Sequence, residues 1–206
     1  MSETTKNKKS ITGVRYLTVT AMLSAVAYIL MFLDFPIPMI IPDFIKMDIS
    51  ELPALIGSFA FGPVCGIFIC LVKNLLHLFI TSTGGVGELS NFLLGVAFVV
   101  PAGLIYKYKK NKKGALIGAL IGAVAMGVIS IPINYFLTYP IYYNFMKEEV
   151  ILAAYQKIIP AMKNILQCLI VFNMPFTIVK GLFSVLITLV VYKHISPILK
   201  GSKNGK

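Results

Sequence analysis

The sequence is poor in charge. Of its 206 residues, 13% are Asp, Glu, Lys or Arg, against about 25% in a soluble domain. Hydrophobic residues make up 57%, and the mean hydropathy is +0.84. An ordinary soluble globular domain is thereby excluded. Cysteine is scarce as well. Cys65, Cys70 and Cys168 form no C-x-x-C pair, and all lie in or beside apolar stretches. A disulfide framework and a zinc site are excluded, and the thiols read as inert and buried. No G-x-x-x-x-G-K-[ST] loop, HExxH pair or Ser/His/Asp set is found. Apart from Glu3, every acidic residue falls in a loop or at the edge of an apolar segment, as Glu51 does. An intramembrane enzyme lacks its catalytic groups, and proton or sodium coupling lacks its usual carboxylate. The chain is therefore not expected to be an enzyme. The formal charge of +11 suggests nucleic acid, but the basic residues cluster at the ends of apolar segments and not on an amphipathic surface. Nucleic acid is excluded as a partner.

What remains is a chain of apolar runs. A membrane crossing needs about 20 such residues. The expected spans are 16–33, 49–61, 64–80, 91–106, 115–139 and 169–192. Ala25-Val26-Ala27 mimics a signal-peptide cleavage site, but the apolar run continues beyond it, which favours a mature span. Span 49–61 covers roughly 20 Å and falls short of a full crossing unless its flanks extend it. Pro36, Pro38 and Pro42 make a rigid loop before it. Gly84, Gly85 and Gly87 place 81–90 in a loop. Between 147 and 167, Val150, Ala154, Ile158, Met162 and Leu166 recur every four residues against charged neighbours. That pattern predicts an amphipathic helix in the membrane interface, bent near Pro160. The fold class is an all-α membrane protein of six transmembrane helices, one integral membrane domain over 1–206 in contact with the lipid bilayer. Lys6, Lys8, Lys9 and Arg15, the basic run 107–113 and the basic tail share one side when the N-terminus is cytoplasmic. The opposite loops then hold only Lys46, Lys147, Lys157 and Lys163. The positive-inside rule therefore puts both termini in the cytoplasm.

Polar side chains inside spans are costly and face the protein interior. Asn173, Thr177 and Lys180 share one helix face, as do Ser130, Asn134 and Thr138. Lys73, Asn74 and His77 lie within one turn. Interhelical hydrogen bonding accounts for Ser130 and Thr138. For Lys73 and Asn74, structure and function stand level, and His77 is expected to be structural. Lys180 with Asn134 reads as a binding site toward the outer half of the spans. No carboxylate occurs on the neighbouring spans, so Lys180 needs other acceptors, which the carbonyl groups of a neutral ligand supply. In the segment Lys46 to Pro53, Asp48 or Ser50 caps the following helix and Glu51 favours its positive end. The alternative is a lid over an outer cavity. Gly114, Gly118 and Gly122, with Ala115, Ala119, Ala123 and Gly127, form a small-residue face for close helix packing inside the bundle.

Several ordered motifs resemble one family. They are Phe35-Pro36-Ile37-Pro38, Asp48-Ile49-Ser50-Glu51-Leu52-Pro53, Phe61-Gly62-Pro63-Val64, Leu71-Val72-Lys73-Asn74, Asn91-Phe92-Leu93-Leu94-Gly95, Asn134-Tyr135-Phe136 and Pro175 to Gly181. Together they resemble the riboflavin-specific substrate-binding subunits of energy-coupling-factor (ECF) vitamin transporters. The likeness covers about Tyr16 to Tyr192. It implies six helices, both termini inside, and an outer pocket closed by the loop between the first two helices. It implies high-affinity binding of riboflavin as transported ligand, with no cofactor, by a multi-pass protein of the bacterial cell membrane. A transmembrane coupling subunit and two ATPase subunits are implied as partners that drive uptake. Asn134 and Lys180 correspond to the family's ring-binding residues. Where the family often has Asn three residues before that lysine, Thr177 stands here, with Asn173 one turn earlier placed to compensate. Asp48 and Asn91 are implied at the ribityl hydroxyls, with Met47 and Gly95 beside them. Ala21 and Ala25 resemble the face that docks the coupling subunit. Two alternatives are the same scaffold with another vitamin, such as thiamine, and a membrane scaffold whose polar stripes only hold helices together.

Overall fold

A backbone inside hydrocarbon must satisfy its own N–H and C=O groups, so apolar runs of this length become helices. The computed structural model describes residues 2–37, 39–81 and 83–200, without the side chains of 2–12, 189 and 191–200. Pro38 and the side chains of Lys6, Lys8, Lys9 and the basic tail lie outside the described residues. The helices are α1 (Ser2–Met31), α2 (Glu51–Phe61), α3 (Pro63–His77), α4 (Val86–Tyr108), α5 (Lys112–Ile133), α6 (Tyr139–Tyr142), α7 (Glu148–Gln156), α8 (Ile165–Cys168) and α9 (Met174–Lys200). Single π-helical turns, Asn134–Thr138 and Leu169–Asn173, join α5 to α6 and α8 to α9. Five helical segments are long and apolar enough to cross a membrane: Gly13–Met31, Pro63–Ile80, Val86–Tyr108, Lys112–Tyr142 and Ile165–Thr188. The remaining expected span corresponds to α2, whose 11 residues rise roughly 16 Å and cannot cross alone.

Three boundaries differ from the sequence expectation. α4 starts at Val86, because Gly84 and Gly85 adopt φ of +63° and +88° and end the loop there. Glu88 and Ser90 therefore sit on a helix and not in a loop. α5 starts at Lys112, where the Asn111 side chain accepts from the Gly114 N–H at 2.7 Å. The amphipathic segment is helical only over Glu148–Gln156, and its buried face is Ile151 and Tyr155. Val150 and Leu166 of the expected stripe are exposed. The phase is set by Tyr155, whose hydroxyl donates to Asn173 Oδ1 at 2.6 Å.

The small-residue face brings backbones together. A Cβ on Gly118 would meet the Ala102 carbonyl oxygen at 2.7 Å, and one on Gly122 the Phe98 carbonyl oxygen at 2.5 Å. α5 thus lies directly against α4, and Ala115, Ala119 and Ala123 are buried in the main core. Gly181 of α9 presses on Ala123 in the same way. All three cysteines are free and buried. Lys73 is fully buried, and the Asn74 carbonyl oxygen is the one buried side-chain atom without a hydrogen-bond partner among the described residues.

The chain alternates direction. The C-terminal ends of α1 and α3, the start of α4, the last turns of the α5 column and the start of α9 therefore gather at one end of the bundle. The 34–50 connection lies at that end. It carries a two-residue antiparallel ribbon, β1 (Phe35–Pro36) with β2 (Lys46–Met47), paired Phe35 to Met47 and Pro36 to Lys46.

Candidate functional site

A cavity opens at this end of the bundle. It holds about 1070 Å³ of empty space when its open mouth and the solvent in it are counted. Each helix column contributes residues near its terminus: Met31 from α1, His77 from α3, Asn91 and Leu94 from α4, Met126 and Asn134 from the α5 column, and Phe176, Thr177 and Lys180 from α9. The 34–50 connection supplies one wall through Asp34, Phe44, Ile45, Lys46 and Asp48. Seven residues separate Asn173 from Lys180, about 10 Å along a helix, so Lys180 sits well below the mouth.

The lysine is already paired. Lys180 Nζ lies 2.8 Å from Asp48 Oδ2, and both residues are buried. This corrects the expectation that Lys180 finds no carboxylate. The neighbouring spans lack one, but the loop supplies it. Asp48 does not cap α2 by its charge; its Oδ1 accepts from the Ser50 N–H at 2.9 Å and the Ser50 hydroxyl at 2.6 Å. Burial pushes the Asp48 carboxyl upward, but the Lys180 and Lys73 ammonium groups outweigh it and hold the group well below the usual carboxylate range. The network continues inward. Lys73 Nζ donates to Ser50 Oγ at 2.6 Å and to Glu51 Oε1 at 2.9 Å, with Lys73 and Glu51 both fully buried. Glu51 is thus the partner of a buried lysine and not a surface charge at a helix end. Two cations and two carboxylates cancel across α2, α3, α9 and the loop, as charges in low dielectric must.

Other polar groups sit higher. His77 Nδ1 lies 2.7 Å from Glu88 Oε1, and Glu88 Oε2 accepts from the Thr81 and Thr83 hydroxyls at 2.9 and 3.1 Å. Asn173 Nδ2 donates to the Tyr139 hydroxyl at 3.3 Å while its Oδ1 accepts from Tyr155. Burial pushes the Tyr155 phenol well above its usual range, so it stays a neutral donor. Asn134 Oδ1 accepts weakly from Ser90 Oγ at 3.4 Å.

Of the residues singled out by sequence, Asp48, Asn91, Asn134, Asn173, Thr177 and Lys180 all line the cavity. Met47 and Gly95 do not. Met47 packs with Ile41 and Phe176, and a Cβ on Gly95 would strike Cys70 Sγ and Glu51 Oε2 at 2.9 Å. Asn173 lines the wall with its amide engaged by two tyrosines, so it is poorly placed to replace the amide missing at Thr177. The Asn91 and Thr177 side chains form no hydrogen bond among the described residues, which leaves both for a ligand. The sequence reading missed His77, Glu88, Thr83 and Tyr139 as cavity residues. The signal for Glu88 was present, since an acidic residue just after a glycine pair suits a first helical turn. Among the described residues no cluster of His, Cys, Asp and Glu suits a metal ion. On the surface of α1 and α3, Ala21 and Ala25 are exposed and line an apolar groove with Tyr16, Leu17, Phe68 and Val72.

A cavity of small-molecule kind at one end of a bundle of membrane-length helices marks a candidate ligand-binding membrane protein. Residues 15–192 match the family model for the substrate-specific component of ECF transporters, and the chain belongs to that family. It is 33% identical to the riboflavin transporter RibU of Staphylococcus aureus, over 95% of this chain and 94% of that one. It is 30% identical to the riboflavin transporter FmnP of Bacillus subtilis, over 93% of this chain and 97% of that one. A solved structure of the S component of a bacterial ECF transporter superposes with a TM-score of 0.72 at 32% identity, covering 92% of this chain and 99% of the other. With five membrane-length apolar helices, this is a multi-pass membrane protein.

Proposed function

We propose that the chain binds riboflavin with high affinity on the outer face of the bacterial membrane and delivers it for ATP-driven uptake. The observation that carries this reading is the cavity itself. Asn134, Thr177 and Lys180 line it together, and each lysine in its wall is already neutralised: Lys180 by Asp48 and Lys46 by Asp34 at 2.9 Å. Such a cavity suits an uncharged ligand with an apolar, flat body and a polar edge. One N–H of an ammonium is spent on Asp48; the other two remain for ring carbonyl groups. The Asn134 amide offers a donor and an acceptor to the same edge, and Thr177 one hydroxyl. The two riboflavin transporters similar over most of their length support the same ligand. Thiamine is cationic and would favour an unpaired carboxylate or an aromatic cage; Asp48 and Asp34 are lysine-paired, and Glu88 already accepts hydrogen bonds from His77, Thr81 and Thr83.

In this reading both termini are cytoplasmic and the 34–50 connection closes over the bound vitamin. The coupling subunit docks on the groove at Ala21 and Ala25, whose small side chains admit a second helix, and two ATPase subunits supply the energy. The test is growth of a riboflavin auxotroph. The chain produced with a coupling subunit and ATPases should restore growth on a low riboflavin supply. No rescue, with the complex demonstrably assembled, would overturn the reading.

A further inference from the structure

The mouth of the cavity carries a second polar device that the ring-binding residues do not use. His77 closes α3, Glu88 lies in the first turn of α4, and Thr81 and Thr83 stand between them. Glu88 accepts three hydrogen bonds, from His77 Nδ1 at 2.7 Å and from the two threonine hydroxyls. A carboxylate only accepts, so Nδ1 carries the ring proton. In the neutral imidazole Nε2 is then an acceptor, and it has no partner among the described residues. The imidazole lies against Phe32, with ring centroids 6.0 Å apart, and lines the cavity beside Asn91, whose amide is also unengaged. An acceptor fixed in place next to a free amide fits a chain of hydroxyl groups.

The same arrangement is hostile to an anion. The start of α4 would ordinarily attract one, but Glu88 already occupies its first turn. Every lysine and histidine lining the cavity has its own carboxylate: Lys46 with Asp34, Lys180 with Asp48, His77 with Glu88. A phosphate ester, with a charge of about −1.5 to −2, would meet carboxylates at the mouth and no unpaired cation.

Resting on the riboflavin reading, we infer that His77, its tautomer fixed by Glu88, binds the hydroxylated side chain of the flavin, and that Glu88 disfavours a phosphorylated one. The pocket thus selects the free vitamin over its 5′-phosphate. His77 is the contact residue and Glu88 its positioning residue.

The test compares three probes on the full-length chain in detergent: riboflavin, its 5′-phosphate, and lumiflavin, which keeps the ring and lacks the hydroxylated chain. His77→Asn keeps a donor where Nδ1 stands and removes Nε2. It should weaken riboflavin by about 3- to 15-fold, as loss of one hydrogen bond implies, and leave lumiflavin unchanged. His77→Gln, which keeps a polar group near Nε2, should recover part of the riboflavin affinity. Glu88→Gln preserves an acceptor for Nδ1 and removes the charge, so the preference for riboflavin over its phosphate should shrink by about tenfold. Lumiflavin binding reports that each variant is folded. Equal losses for riboflavin and lumiflavin in His77→Asn, or an unchanged riboflavin-to-phosphate ratio in Glu88→Gln, would overturn the inference while the flavin reading stands. A wild-type chain that binds none of the three overturns both.

Discussion

Lys180 of α9 and Asp48 of the 34–50 connection, 132 residues apart in sequence, form a 2.8 Å ion pair inside the cavity. The pair ties the wall of the pocket to its polar floor. Lys180→Ala should weaken riboflavin binding by about 10- to 100-fold, because the ligand loses a charged donor and Asp48 is left unpaired. Asp48→Asn leaves the ammonium in place but slackens the loop, and should reduce thermal stability as well as affinity. The double variant Asp48→Asn/Lys180→Met should lose less stability than the two single losses added, with a coupling of about 1–3 kcal/mol. Thermal melts of the four proteins in detergent measure it. Additive losses would show that the pair does not act as a unit.

The acid limit follows from the same carboxylate. Its folded value lies below the unfolded one, so its stabilising contribution is complete above the ordinary aspartate range near 3.9 and is lost only as pH falls through the lower folded value. Between pH 5 and pH 8 this pair should contribute no pH dependence. Melts of wild type and Asp48→Asn across that window should stay parallel, and converge only below about pH 4.

Lys73 and Glu51 are fully buried 2.9 Å apart. Removing one partner strands the other charge, at about 3–5 kcal/mol. Lys73→Met or Glu51→Leu alone should therefore greatly reduce the yield of folded protein, and Lys73→Met with Glu51→Leu should restore much of it. Folded yield by size-exclusion chromatography decides. An unimpaired single variant would contradict the buried pairing.

Glycine and alanine positions separate packing from docking. Gly122→Val drives a side chain into the Phe98 carbonyl oxygen and should destabilise the bundle by about 1–3 kcal/mol. Ala21→Leu or Ala25→Leu, on an open groove, should leave melting and vitamin binding intact and abolish uptake. Loss of binding in the alanine variants would assign them to internal packing.

The sequence carried much of this. Charge-free runs marked the long helices, the Gly118 and Gly122 spacing marked a close helix contact whose partner, α4, only the structure shows, and Asn134, Thr177 and Lys180 were recognisable as polar groups too costly to leave in lipid. The charge partners were not legible. Asp48 and Glu51 stand at the edge of a loop, where capping and solvent exposure explain acidic residues equally well, and no local pattern joins them to Lys180 or Lys73. Glu88 was hidden by the glycines that precede it, which end a loop and start a helix at once. The face of α7 was misread by one position because the tyrosine–asparagine network at Tyr155, and not the apolar period, sets its rotation.

Topology has its own check. With the 34–50 connection outside, a cysteine at Gly85 should react with an impermeant thiol reagent added to intact cells, and one at Asn111 should not. The three native thiols are buried and give a low background. The opposite labelling would invert the topology.

The central claim is that this cavity binds riboflavin, and a fluorescence titration tests it most directly. Adding purified chain to a fixed riboflavin concentration should quench flavin fluorescence to saturation at one vitamin per chain, and excess thiamine should not reverse it. Unquenched flavin in the presence of folded protein, or displacement by thiamine, would contradict the account.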